Sequence, residues 1–285
     1  MMGRSLSLME LGRLEEQVAP TRRSHQLFIG SSRIDQPGGR ANAGNPVTLR
    51  DPANLFFALI FGPMLVLALG LIFGNTPRPE FHGLGYLDGA LAPFAAMVVA
   101  IVGLMSVPID IVTQRESGTL RRLRATPVRP RVYIAADVTV RFIITFVGTM
   151  LAFAVGMIAF GVRPIGNFGW VGLAACLGCA AFLALGYALA SIYPTQGVAI
   201  GVGNILLILL LMMSGAMVPR AVFSPTIQRI SDFSPLTQFV TLLRGLWNGE
   251  PWGSLWVPVV VLGVMLVVCA AAATKLFRWE PSGTS

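Results

Sequence analysis

The sequence predicts an all-α membrane protein with six transmembrane helices. Of its 285 residues, 54% are hydrophobic and only 12% are charged, whereas a soluble domain carries about a quarter charged residues. The mean hydropathy is +0.71, and the chain contains apolar runs of about 20 residues, the length that crosses the hydrocarbon layer of a bilayer. So few charges cannot cover a water-soluble fold of this length, so a membrane bundle is expected.

A polar arm precedes the first apolar run. Residues 1–53 hold seven arginines and five acidic residues and are interrupted by glycine and proline, which indicates a solvated arm rather than a second folded domain. Apolar residues between Ser7 and Val18 recur at helical spacing, which favours a short interfacial helix. The expected division is a cytoplasmic arm at 1–53, a transmembrane domain at 54–275 and a cytoplasmic tail at 276–285.

Six apolar runs are the predicted transmembrane helices. Prolines lie within or near the ends of several of them, and membrane helices tolerate proline because neighbouring groups can satisfy the freed backbone atoms. The predicted spans are residues 54–73, 89–112, 132–160, 170–193, 197–218 and 252–274.

The basic residues predict the orientation of the bundle. If the N-terminus is cytoplasmic, fifteen arginine and lysine residues flank the spans on the inside and five on the outside, which is a clear positive-inside bias. Both termini are therefore expected in the cytoplasm of a bacterium, with the chain in the plasma (inner) membrane. The net charge of +8 comes from basic residues clustered at the ends of apolar runs, which indicates contact with membrane lipid and not with nucleic acid.

No catalytic motif stands out. A nucleotide-binding P-loop requires a lysine after glycine, and Lys275, the single lysine, follows threonine. The two histidines, His25 and His82, cannot form a His-Glu-x-x-His zinc site. A catalytic carboxylate pair of Asp110 and Asp137 is disfavoured because each lies near the end of its span, where interfacial charge costs little. The chain is expected to be no enzyme and to bind no cofactor or metal.

Two spacings predict contacts between helices. Gly197 and Gly201 form a Gly-xxx-Gly face on the fifth span, which lets another helix approach closely, either within the chain or from a second copy. Asp137 and Arg141 are four residues apart on the third span and share a face, so we predict a structural ion pair. No series of ionisable residues crosses the spans, which disfavours a proton-coupled carrier.

Two connections between spans are not simple turns. The loop between the second and third spans is short and dense in charge. The segment from 219 to 251 is too long for a turn and too apolar for a free loop, and Pro219, Pro225 and Pro235 divide it into short helical pieces. We expect these pieces to be re-entrant external helices that lie against the bundle before the last span, since irregular backbone at membrane depth must be covered by protein.

The loop between the second and third spans contains residues 115–127, RESGTLRRLRATP. This segment resembles the cytoplasmic coupling helix of ABC-2 type transporter permeases. In that pattern an acid, a glycine and a leucine precede a basic helix and a Thr-Pro stop, as in these residues. Residues 213–219, MSGAMVP, look like the family's small-residue exit from the fifth span. Residues 234–239, SPLTQF, followed by LRGL at 243–246, look like its signature before the sixth span. The resemblance covers roughly residues 50–275 and leaves out the arm.

The resemblance implies a permease that pairs with a separate ATPase chain, which would bind ATP and Mg²⁺. Two ATPases would serve two permeases, the second being another copy of this chain or a homologous permease. Residues 115–126 would sit in a groove of the ATPase and transmit its closure on ATP binding. The residues implied in ATPase coupling are Arg115, Glu116, Ser117, Gly118, Thr119, Leu120, Arg121 and Leu123.

The pattern is closest to the daunorubicin-resistance branch of this family. It implies an exporter subunit for a hydrophobic or amphipathic compound, such as a drug, an antibiotic or a lipid-like molecule. Exporters of polysaccharides or lipid-linked glycans share the architecture and are the alternative. A secondary transporter would be supported by inverted repeats, and no convincing internal repeat is found; a non-transporting membrane scaffold is a third hypothesis.

Overall fold

The structure, a computed structural model, describes residues 56–75, 85–118, 130–215 and 223–276. All of them fall within one compact unit, residues 45–285, and the regular structure in these ranges is helical. The helices are α1 (Phe61–Phe73), α2 (Tyr86–Ile101), α3 (Val107–Glu116), α4 (Pro130–Phe160), α5 (Phe168–Ile192), α6 (Gln196–Met213), α7 (Pro225–Asp232), α8 (Pro235–Trp247) and α9 (Trp256–Leu276).

Three short helical turns connect to these elements. A π-helical turn, Phe56–Ile60, leads into α1, and a second, Val102–Ser106, joins α2 to α3 without a break in the helical path. A 3-10 turn, Trp252–Leu255, leads into α9. Single π-helical turns inside longer helices are often found at functional sites.

Five of the six predicted spans are helices long and apolar enough to cross a membrane. They are Tyr86–Glu116, Ala135–Phe160, Phe168–Ile192, Gln196–Met213 and Trp252–Lys275. The first predicted span is represented by a shorter apolar helix, Ala58–Phe73, so a sixth crossing stays a prediction. In the ranges that the structure describes, the chain is helical throughout, and its apolar helices are those of a multi-pass membrane protein.

Helix α5 lies at the centre of the bundle, where it packs against α3, α4, α8, α9 and the π-helical turn after α2. Close approach of α5 to that turn requires glycine on both sides. A Cβ atom on Gly186 would lie 2.4 Å from the carbonyl oxygen of Gly103, and one on Gly103 would lie 2.6 Å from that of Phe182. Backbones packed this closely gain van der Waals contact, which is a main source of helix association in membranes.

The segment before the last span is broken into helices, as its prolines predict. Pro225 and Pro235 occupy the first turns of α7 and α8, where the missing N–H of proline costs nothing. Helix α8 packs against α2, α5 and α9, and its Leu236, Phe239 and Leu243 side chains are fully buried. Protein therefore covers α8; its depth in the membrane and its external side stay predictions.

The contacts define two ends of the bundle. At one end, Arg244 of α8 donates a hydrogen bond to the Gly89 carbonyl of α2 at 3.0 Å, and the rings of Trp170 and Trp252 meet edge to face. At the other end, the C-terminus of α3 meets the turn between α5 and α6, residues 193–195. The positive-inside bias predicts that this second end is cytoplasmic, and we call it the predicted cytoplasmic end.

Candidate functional site

Three helices meet at a buried group of polar side chains, which we call the interior cluster: Asp110 of α3, Asp137 and Arg141 of α4, and Tyr187 of α5. Arg141 Nε donates to Asp137 Oδ2 at 2.9 Å, and its Nη1 donates to Asp110 Oδ2 at 2.8 Å. The Tyr187 hydroxyl donates to the same Asp137 oxygen at 2.6 Å. Arg141 is only 3% exposed. A buried charge persists only when it is paired and hydrogen-bonded. Arg141 joins α4 to α3, and Asp137 joins α4 to α5 through the Tyr187 hydroxyl.

The interior cluster differs from a catalytic carboxylate dyad. In such a dyad two carboxyl groups share a proton because no cation balances them. Here both carboxylates bind one guanidinium, which stays charged in proteins. Asp137 is 5% exposed, so the protein itself encloses this carboxylate, and its position near an end of its span stays a prediction. Its charge is offset by Arg141 and Tyr187 instead of by water.

A second polar group lies at the predicted cytoplasmic end, and we call it the end clamp. It consists of Arg115 and Glu116 of α3, the α5–α6 turn at residues 193–195, and Gln196, the first residue of α6. Arg115 is 2% exposed. Its guanidinium donates to the carbonyls of Ala190 at 3.4 Å and Pro194 at 3.1 Å, and to that of Tyr193.

Proline explains why α5 needs an arginine at its end. The carbonyl of Ala190 would accept a helical hydrogen bond from the backbone nitrogen four residues later, which belongs to Pro194 and carries no hydrogen. The last carbonyls of any helix also lack intrahelical donors. Arg115 supplies donors to these oxygens, and its positive charge lies where the helix dipole is negative.

Glu116 performs the opposite role at the start of α6. Its Oε1 accepts the backbone N–H of Gln196, the first residue of α6, at 2.9 Å. The side chain of Thr195 accepts the N–H of Val198 at 3.4 Å. A carboxylate at a helix N-terminus is favoured by both the free N–H groups and the dipole. Two adjacent residues of opposite charge therefore cap two successive helices.

An apolar contact supports the end clamp. The side chains of Val112, Tyr193 and Ala199 form a small buried cluster that joins α3, the turn and α6. Burial also raises the pKa of the Tyr193 phenol above its ordinary value of 10, so Tyr193 stays neutral there. The end of α3 is thus fixed to the turn by packing as well as by hydrogen bonds.

Gly118 ends α3 directly after the end clamp. Its N–H bonds to the Arg115 carbonyl at 3.2 Å, and its φ of +70° lies in the left-handed region that favours glycine. A glycine in this conformation is a common helix stop. The chain therefore turns sharply at Gly118 into the predicted coupling segment.

The structure divides the residues expected to contact an ATPase. Thr119, Leu120, Arg121 and Leu123 lie outside the described residues, while Ser117 and Gly118 end α3. Arg115 does not fit the expectation of a docking residue, because it is buried against the chain's own turn. Glu116 is at the surface, but its carboxylate is engaged with α6.

Gly197 and Gly201 face away from the rest of the chain. A Cβ atom added to either would meet no atom within 4 Å, so this face is open. Asn204 and Ile205, about one turn further along α6, are also exposed, Ile205 by 70%. Of the two alternatives for this Gly-xxx-Gly face, packing within the chain is not seen among the described residues.

The comparisons with known proteins concern nearly the whole chain. Residues 73–275 match the model of an ABC-2 family transporter protein. The chain belongs to the ABC-2 family. Two relatives from Mycobacterium tuberculosis, in strains CDC 1551 / Oshkosh and ATCC 25618 / H37Rv, are named "Probable doxorubicin resistance ABC transporter permease protein DrrC". Each is 24% identical over 273 residues, which is 93% of this chain and 96% of the relative.

The match gives both polar groups a place in an ABC-2 permease. The interior cluster and the end clamp lie within residues 73–275, and the end clamp directly precedes the segment that resembles the coupling helix. No three His, Cys, Asp or Glu side chains converge as a metal site in the described ranges. Both polar groups connect helices, one inside the bundle and one at its end.

Sequence reasoning overlooked two partners. Tyr187 lies 50 residues from Asp137, and no spacing rule relates them. The carbonyls bound by Arg115 belong to the backbone. Because every residue carries a backbone carbonyl, the residue types in the sequence do not show which carbonyls Arg115 binds. Pro194 is the one signal that could have indicated them, since it deprives the Ala190 carbonyl of its helical donor.

Proposed function

We propose that the chain is the membrane subunit of an ATP-driven exporter that moves a hydrophobic or amphipathic compound out of a bacterial cell. The observation that carries the proposal is the ABC-2 match over residues 73–275 on a chain whose only lysine does not follow glycine. Hydrolysis then belongs to a separate ATPase chain, which holds ATP and Mg²⁺, and this subunit supplies the path. The relatives named for doxorubicin resistance support an amphipathic drug-like substrate.

The position of the end clamp supports the same assignment. An ATPase outside the membrane must act on the helix bundle through a rigid contact. Arg115 and Glu116 connect the start of the basic segment to α5 and α6. The segment's six basic residues between the second and third spans favour a cytoplasmic position. Both termini would then be cytoplasmic, with the chain in the plasma membrane.

We further propose that a second permease packs against α6. Gly197 and Gly201 leave room for a close helix, and small residues at such spacing favour helix pairs in membranes. Asn204 on the same exposed face offers a hydrogen bond across the pair, which lipid tails cannot provide. The partner is a second copy or a homologous permease.

The transport test uses the full chain together with an ABC ATPase encoded beside it. Both are purified as a complex and placed in vesicles, and ATP-dependent accumulation of doxorubicin is measured. We expect accumulation with the intact ATPase and none when its P-loop lysine is replaced by alanine. Accumulation driven by a proton gradient without the ATPase would contradict the proposal, as would failure of the two chains to associate.

The pairing test places a cysteine at the open face, as Gly201→Cys, in a chain whose native cysteines are replaced by alanine. Oxidation in the membrane should yield a crosslinked dimer, because the two α6 helices approach closely at this position. The matched control is Gly172→Cys on α5, where an added Cβ also meets no atom within 4 Å. Equal crosslinking at both positions would indicate random collision and would contradict the proposed packing of two α6 helices.

A further inference from the structure

The end clamp connects the predicted coupling segment to one particular part of the bundle. Arg115 and Glu116 are the last two residues before the Ser117–Gly118 stop, and both bind the α5–α6 turn. A helix is stiff over a few residues, so a displacement of its end moves the side chains there with it. A displacement of the end of α3 therefore acts directly on the α5–α6 turn.

The turn is short enough to pass displacement to two helices at once. Only residues 193–195 separate α5 from α6, and the turn is held at both sides. Arg115 holds its α5 side through three carbonyls, and Glu116 holds its α6 side through the Gln196 N–H. The end of α3 and the start of α6 are thus one hydrogen-bonded unit.

Of the two helices that the turn joins, α6 is the less buried. Helix α5 is packed on several sides, and α4 is tied to α3 and α5 by the interior cluster. By contrast, one face of α6 is open, with Ile200, Ile205 and Ile208 exposed by 43%, 70% and 52%. Elements with few buried contacts move at the lowest free-energy cost. A push on the turn should therefore tilt or shift α6.

We propose that Arg115 and Glu116 form a lever that carries movement of the coupling segment to α6 through the α5–α6 turn. The inference rests on the proposed function, since the movement is supplied by an ATPase partner. Arg115, which is buried and bound to the end of α5, keeps the end of α3 against the α5–α6 turn. Glu116, at the surface and bound to the start of α6, is the moving contact. Both are positioning residues, which act through the turn and not on the transported molecule.

The test places a fluorescent reporter at position 196. Glu116 binds the backbone of Gln196 and not its side chain, so Gln196→Cys can be labelled without removing the bond. A second reporter, Ser117→Cys, lies on the coupling side of the lever. Both are made in a chain whose three native cysteines are replaced by alanine, and each is studied in complex with the ATPase in lipid vesicles.

In the otherwise unchanged chain we expect ATP to alter the fluorescence of both reporters. Glu116→Ala should leave the response at position 117 and reduce that at 196 about five-fold or more, since allosteric couplings typically lie in this range. Doxorubicin moved per ATP hydrolysed should fall in parallel. Glu116→Gln should restore both readouts, because an amide oxygen accepts the same hydrogen bond. Arg229→Gln, which removes an exposed charge from α7, should change neither.

The outcomes separate the lever from the proposed function. If the Ser117→Cys reporter responds to ATP and the position-196 response survives in Glu116→Ala, the lever is wrong while the permease assignment stands. If neither reporter responds with any ATPase and no transport occurs, the proposed function fails and the lever fails with it. Loss of the response in Glu116→Ala without recovery in Glu116→Gln would also overturn the lever, because the hydrogen bond would not be the connection.

Discussion

The interior cluster and the end clamp are built from the same residue types but bind in different ways. In the interior cluster, Arg141 binds carboxylates of two helices, and every partner is a side chain. In the end clamp, Arg115 and Glu116 bind backbone groups at two helix ends. Buried side chains that pair with one another hold one arrangement firmly, whereas Glu116 caps α6 at the surface, where water can replace its hydrogen bond. The first suits a fixed joint and the second a joint that moves.

Removal of Arg141 should have the largest effect. Arg141→Ala leaves two carboxylates without their cation in a buried site, and breaking a buried pair in this way costs about 3 kcal/mol or more. The measurement is the unfolding midpoint in mixed micelles, with loss of folded protein in the membrane as a second readout. Adding Asp110→Asn and Asp137→Asn to the variant should recover part of the loss, because the uncompensated charges are removed.

The matched control for that prediction is Arg163→Gln, which removes an exposed arginine between α4 and α5. A surface charge of this kind contributes close to nothing. An equal loss of stability in both variants would mean that the total charge matters and that the interior cluster does not.

Removal of Arg115 should cost less than removal of Arg141. Arg115→Ala takes donors from three carbonyls, and a hydrogen bond to a charged group contributes about 2 kcal/mol. Loss of Arg115 leaves neutral carbonyls without donors, whereas loss of Arg141 leaves two carboxylates without their cation, which costs more. Unfolding midpoints of the two variants, measured side by side, check the order, and the reverse order would contradict this distinction.

A smaller effect is expected where α3 stops. Gly118→Ala places a Cβ in a left-handed conformation, which costs about 1 kcal/mol, although no neighbouring atom lies within 4 Å. The loss should appear in the thermal midpoint of the purified chain. Gly172→Ala is the control, because it adds the same methyl group in equally open space inside the helix α5 and should be neutral or stabilising. Equal shifts would argue against backbone strain at Gly118.

The smallest effect concerns the tyrosine of the interior cluster. Tyr187→Phe removes one hydrogen bond to Asp137, and hydrogen bonds between membrane helices average about 0.6 kcal/mol. Tyr193→Phe is the control, since the Tyr193 hydroxyl is buried without a partner among the described residues. The midpoint should fall for Tyr187→Phe and hold or rise for Tyr193→Phe. A larger loss for Tyr193→Phe would refute the assignment of roles to these two hydroxyls.

Prediction from sequence succeeded where a pattern is local. The apolar runs identify five spans because a bilayer imposes a minimum length on any crossing helix. The four-residue spacing of Asp137 and Arg141 places them on one helix face, and the structure joins them at 2.9 Å. Pro225 and Pro235 mark the starts of α7 and α8 because proline fits the first turn of a helix.

Prediction was incomplete where partners are distant along the chain. Asp110 lies 31 residues before Arg141, and its partner depends on how α3 packs against α4. The family resemblance implies that Arg115 contacts an ATPase, yet Arg115 is buried against the chain's own α5–α6 turn. Its side chain points to the end of α5 because that end lacks donors, a need that arises only when the two helices meet.

By itself, the sequence determined the apolar spans, the helix starts marked by proline and the family resemblance. It could do so because hydropathy, proline placement and motif order are local patterns along the chain. Only the tertiary structure decided which charges are enclosed, which face of α6 is open and which helix ends Arg115 and Glu116 cap. The physical reason is that burial and hydrogen bonding between helices depend on how the helices pack, and packing brings together residues that no local pattern relates.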